Sequence, residues 1–252
     1  MRFAECSSTN LDLVFVVDGS RRFDRAGWSW ILSFVSNVVR GYQISRTGVR
    51  VALVQYSDRA TTSIPLGQYN DANSFGSAVS QIRQLQGTSN VATGLDQARL
   101  VLSGSGSRSK VVIAVTDQFQ GSSTISTAAA NVVNSGILVV GIGVSGAIGL
   151  TLDSSAFQSL LQNRVVIANG YTSLGGVVSQ AVSLACPTTG PPGVPSLGIQ
   201  NWGKCFKWYV NLKTFFKSVK SHVLILYSAA INFKNGGILL VVVWFRGRFV
   251  WR

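Results

Sequence analysis

The 252-residue chain carries 22 Lys/Arg against 9 Asp/Glu, a net charge of +13, yet residues 1–186 hold 13 basic and all 9 acidic side chains while 187–252 hold 9 basic and none. The basic excess lies mostly outside the patterned part of the chain, which argues against nucleic-acid binding by that part. Cys6, Cys186 and Cys205 form no C-x-x-C pair, which disfavours zinc and thioredoxin-like chemistry, and the one histidine, His222, leaves no Ser-His-Asp or Cys-His arrangement upstream.

Leu11–Val17 is a short apolar run ending in Asp18-Gly19-Ser20, which reads as a buried strand that delivers polar groups at its carboxyl end. Asp24 suits the N-cap of a helix whose inner face is Trp28, Ile31, Leu32, Val35, Val38 and Val39. Val49–Tyr56 reads as a second strand, with Ala60–Leu66 returning beside it as a hairpin. Ser74–Leu85 and Val91–Leu102 follow, the latter with Val91, Leu95, Ala98 and Leu102 at helical spacing. Val111–Val115 and Ile137–Val144 are two further apolar strands, separated by a small-residue helix over Thr124–Asn134. The pattern closes with a helix at Ser154–Leu161, a strand at Val165–Ile167 and a helix turning Leu174, Val177, Val178, Ala181, Val182 and Ala185 inward.

Apolar strands alternating with amphipathic helices predict a doubly wound α/β fold, with a mainly parallel sheet covered by helices on both faces. In such a sheet ligands bind beyond the carboxyl ends of the strands, where strand order reverses. Asp18 and Asp117 both fall at strand ends. Cys6 and Cys186 lie just outside the two ends of the pattern and are well placed to staple them together.

Four blocks now carry a resemblance: Leu13-Val14-Phe15-Val16-Val17-Asp18-Gly19-Ser20, Val49-Arg50-Val51-Ala52-Leu53-Val54-Gln55-Tyr56-Ser57, Asn90-Val91-Ala92-Thr93-Gly94-Leu95, and Val111-Val112-Ile113-Ala114-Val115-Thr116-Asp117. In this order they resemble the von Willebrand factor A family, found in integrin inserted domains, matrilins and several collagens. The resemblance implies a Rossmann-like domain over 11–186 that binds other proteins and does not catalyse. It also implies a metal-ion-dependent adhesion site, in which Asp-x-Ser-x-Ser, a loop Thr and a later Asp hold Mg²⁺ or a similar hard cation. Asp18 and Ser20 match the first two positions, Ser89 replaces the Thr with its hydroxyl kept, and Asp117 matches the last. The third motif position is Arg22, whose guanidinium has no lone pair to offer and brings a fixed positive charge. The site is therefore expected to be degenerate: a polar network closed by Arg22, with Mg²⁺ as the alternative occupant.

The function expected is adhesion or extracellular-matrix interaction with a protein ligand such as a collagen. The alternatives are a metal-assisted hydrolase-like enzyme working through Asp18 and Asp117, or a cytosolic A-domain chaperone subunit. No nucleophile or general base accompanies the two carboxylates, and a structural Cys6–Cys186 disulfide would point to an oxidising compartment. The few residues before Cys6 leave no room for a signal peptide; the chain is expected to be secreted, with that segment missing from the sequence. Gly141-Ile142-Gly143-Val144-Ser145-Gly146 matches a dinucleotide-binding pattern, but no ribose-binding acid follows and the glycines are read as room for tight turns.

Residues 1–10 form an N-terminal lead and 187–200 a Pro/Gly linker with two collagen-like triplets, too few for a triple helix. The segment 201–252 is basic, aromatic and acid-free. Lys234 divides its apolar runs, so that it makes a poor membrane span. It is expected to be unstructured, with membrane contact as a lesser alternative.

Overall fold

The computed structural model describes residues 6, 10–117, 123–145, 161 and 164–187, together with the backbone of three strands between 213 and 245. The expected helix at Ser154–Leu161 falls, but for Leu161, outside the described residues. The chain divides into two compact units, Met1–Val194 and Pro195–Arg252.

In the first unit, strand β1 (Leu11–Asp18) pairs in parallel with β2 (Val49–Tyr56) on one side and β4 (Ser109–Thr116) on the other. β3 (Ala60–Ile64) returns antiparallel to β2, while β5 (Leu138–Ser145) and β6 (Val165–Asn169) extend the sheet in parallel beyond β4. The strand order is β3-β2-β1-β4-β5-β6. The chain winds outward from β1 to β3, crosses back to β4 and then winds the other way, so the switch point lies between β1 and β4.

Burial on both faces explains the near-continuous apolar strands. Leu11, Leu13, Phe15 and Val17 of β1 join one cluster with α1 (Arg25–Val39), α2 (Ala72–Ser80) and α5 (Val178–Ala185). Val14 and Val16 join the opposite cluster with α3 (Val91–Leu102) and α4 (Ser123–Asn134). α3 lies close on the sheet because of Gly94: a Cβ there would stand 2.7 Å from the Tyr56 ring and 2.8 Å from Val16. Cys6 and Cys186 are disulfide-bonded, with Cα atoms 5.5 Å apart.

Several sequence expectations are corrected here. The region expected at Ser74–Leu85 is helical only over Ala72–Ser80, where the Asp71 side chain caps the Ser74 amide at 2.8 Å; Gln81–Asn90 then runs without regular structure apart from a turn at Gln81. The last helix begins at Val178, preceded by a 3₁₀ stretch over Tyr171–Val177, since Gly175-Gly176 weakens an α-helical start. Val177 is only half-buried. Gly141 and Gly143 lie inside β5, paired with Ala114 and Thr116 of β4, and so serve the ladder instead of a turn. The segment expected to be unstructured contains an antiparallel sheet, β7 (Lys213–Val219), β8 (His222–Asn232) and β9 (Ile238–Phe245), in that order. Its valine-, isoleucine- and aromatic-rich runs have high strand propensity.

Candidate functional site

The site forms where β1 and β4 end. Asp18 closes β1 and Asp117 follows β4, at the switch point where open α/β sheets bind their ligands. The loop after β1 is held by the backbone: Gly19 N donates to Tyr56 O at 2.7 Å, Gln86 N to Gly19 O at 2.8 Å, and Arg21 N to Gly87 O at 3.0 Å. Glycine is required at position 19, because a Cβ would fall 2.1 Å from Gln55 Oε1. Gln55, buried at the end of β2, accepts from Leu85 N at 2.6 Å and donates to Arg83 O at 3.1 Å. Gln84 Nε2 donates to Ser20 O at 2.7 Å and to Phe23 O at 3.0 Å. These two glutamines splice the irregular segment 81–90 onto the β1 loop and thereby place Ser89.

All four residues matched to the adhesion site converge. Asp18 Oδ1 accepts from Ser20 N at 2.8 Å and its Oδ2 accepts from Ser89 Oγ at 2.6 Å. Ser20 Oγ accepts a longer bond, 3.4 Å, from Arg22 N. Arg22 Nε lies 3.1 and 3.0 Å from the two oxygens of Asp117, and the pair is 27% and 2% exposed. Burial pushes the Asp18 carboxyl above its ordinary range, against the hydrogen bonds from Ser89 and Ser20 that lower it. Asp117 is also raised by burial, opposed by the charge of Arg22 and reinforced by that of Asp18. Beneath them Tyr56 is wholly buried and its phenol is held neutral by that burial.

Beside these groups Phe23 meets Tyr171 edge-on with ring centroids 5.1 Å apart. The Tyr171 hydroxyl is buried in the field of Asp117, Asp18 and Arg22 and has no hydrogen-bond partner among the described residues. Sequence reasoning missed Gln55, Gln84 and Tyr171. A polar residue interrupting the apolar run of β2 was the available sign for Gln55; nothing comparable marks the other two.

The oxygen-rich set is of the kind a hard cation takes. As arranged, however, each of the four oxygens of Asp18 and Asp117 already accepts a hydrogen bond, and a guanidinium stands against Asp117. This arrangement does not fit a divalent ion. It also contains neither a histidine nor a cysteine to serve as base or nucleophile.

Comparison with known proteins agrees with this fold. The model of the von Willebrand factor type A domain matches residues 12–180. The chain belongs to this family. It is 32% identical to human Matrilin-3 over 163 residues, covering 62% of this chain and 33% of the relative. It is 28% identical to the human Collagen alpha-1(XXI) chain over 116 residues, 45% of this chain and 12% of that one. The chain thus spans a minor part of the relatives it matches. Among solved structures, proximal thread matrix protein 1 from the mussel byssus with a zinc-occupied MIDAS motif shares the fold, with a TM-score of 0.63 and 24% identity over 73% of this chain and 47% of the other. Von Willebrand factor A domains of matrilins and collagens are matrix and adhesion modules, and the same architecture is present here.

Proposed function

We propose that this domain is an extracellular adhesion or matrix-interaction module that binds a protein ligand at the carboxyl edge of its sheet and catalyses no reaction. One observation carries the reading: the loops after β1 and β4 and the segment before α3 converge their polar side chains at the switch point of a family whose matched relatives are matrix proteins. The Cys6–Cys186 disulfide supports an oxidising, extracellular setting. Collagens and other matrix proteins are the ligand class proposed.

Surface plasmon resonance over immobilised fibrillar collagen and a panel of matrix glycoproteins tests the proposal. Saturable binding to at least one of them, weakened by Arg21→Glu at the exposed rim, is the outcome expected. Absence of binding across the panel would remove the adhesion reading.

A further inference from the structure

Arg22 makes one side-chain contact with two results. Its Nε spans both oxygens of Asp117, while no hydrogen bond or ion pair joins Nη1 or Nη2 to another described residue and the side chain is 27% exposed. A guanidinium committed through Nε alone keeps two parallel N–H groups in a rigid plane, a geometry suited to a carboxylate. The Tyr171 hydroxyl, buried in the field of the same charges, has no hydrogen-bond partner among the described residues. Arg21 in the loop after β1, Arg25 at the start of α1 and Arg83 in the segment bonded to Gln55 are exposed and form no ion pair among the described residues, whereas Asp24 caps α1 and Asp58 is bound to Ser57 and Arg59. The carboxylates at the rim are already engaged, while three of its cations are not.

From this geometry we propose that Arg22 is a built-in replacement for the divalent cation. It neutralises Asp117 from within, excludes Mg²⁺, Mn²⁺ and Zn²⁺, and offers Nη1 and Nη2 to a carboxylate of an acidic partner peptide. The inference rests on the adhesion reading for its partner but not for its metal chemistry. A peptide carboxylate fits better than an extended polyanion, because residues 1–186 carry only a small basic excess and the receiving group is a single guanidinium set beside two carboxylates.

Two measurements on the full chain test it. In thermal melting, millimolar Mg²⁺, Mn²⁺ or Zn²⁺ should leave the wild-type transition where EDTA leaves it. Arg22→Ser, which removes the competing charge and adds a hydroxyl, should gain a metal-dependent rise on the order of 5 °C. Metal stabilisation of the wild type would overturn the proposal, as would a folded Arg22→Ser protein indifferent to metal. In the second measurement, capped Gly-Glu-Gly is titrated in EDTA while arginine side-chain ¹H–¹⁵N resonances are followed, with capped Gly-Gln-Gly as control. The Arg22 Nε resonance should move with the glutamate peptide alone, while those of the exposed Arg40 and Arg46 stay put. An unmoved Arg22 resonance, or equal movement of all three, would overturn the carboxylate contact.

Arg22→Gln, which keeps a polar side chain without the charge, separates the two readings. Collagen binding that survives Arg22→Gln would leave adhesion standing on another surface and refute the role of Arg22. Wild-type protein that binds no matrix protein but passes both measurements would refute adhesion alone.

Discussion

Arg108 Nε donates to Asp12 Oδ1 at 2.7 Å, joining residues 96 positions apart at the end of the sheet remote from Asp18 and Asp117. Arg50 approaches the same carboxylate, its Nε 2.8 Å from Oδ1. Arg108 also reaches the carbonyls of Leu11 and Gly48, so the guanidinium ties the start of β1 to the start of β2. Asp12 is fully buried. Burial alone would raise its carboxyl, but the hydrogen bonds from Arg50 and Arg108 outweigh it and hold the group below the usual carboxylate range.

Asp12→Ala should therefore destabilise the domain by about 3 kcal/mol at neutral pH. This is the low end for breaking a buried pair, because both arginines can turn toward solvent. The depressed folded-state value means that this contribution is complete above the unfolded value of 3.8 and is lost as pH falls through the folded one. Urea denaturation of both proteins from pH 7 downward should show the gap closing only below about pH 4.

Asp18 has the opposite sign. Its raised carboxyl makes the ionised form a cost to the folded state, greatest at neutral pH and removed as pH falls through the raised value. Asp18→Asn should be more stable than wild type by about 1 kcal/mol at pH 7, with the advantage shrinking on acidification. Equal stability at pH 7 would mean that the Ser20 and Ser89 hydrogen bonds offset the burial in full.

Gly19→Ala should cost about 2 kcal/mol, since the new methyl collides with a Gln55 side chain that is itself buried and fixed at both ends. Moving Gln55 frees the 81–90 segment. Hydrogen exchange should accordingly quicken at Leu85 and Gln86 before it does in β1.

The Cys6–Cys186 bond spans 180 residues, so in the chain-entropy account its loss through Cys6→Ser with Cys186→Ser should cost up to about 5 kcal/mol. Denaturation of the double variant beside the wild-type protein measures it. A difference below about 1 kcal/mol would show that the reduced chain keeps its ends close before folding.

Much of this arrangement was legible in the residues themselves. The unbroken apolar runs marked β1, β4 and β5, and Asp24 marked the start of α1 through a bond it does make, accepting from Gly27 N at 2.7 Å. Asp18 and Asp117 were marked by their places at strand ends, whereas Ser20 and Ser89 were assigned only through the resemblance to the von Willebrand factor A family. The Asp12 cluster was not, since a lone carboxylate inside a hydrophobic strand gives no indication of partners 38 and 96 positions away. Nor was the 3₁₀ stretch at Tyr171, whose apolar spacing is also that of an α-helix, and whose aromatic partner Phe23 is distant in sequence.

The disulfide also has a mechanical meaning. Cys6 sits beside Gly41 and Tyr42, ahead of β2, and Cys186 immediately follows α5, so the two cysteines meet at the foot of the sheet while Asp18 and Asp117 lie at its head. Tension applied along the polypeptide outside these two cysteines would pass from one to the other through the covalent S–S link. The strands between them would bear none of that pull.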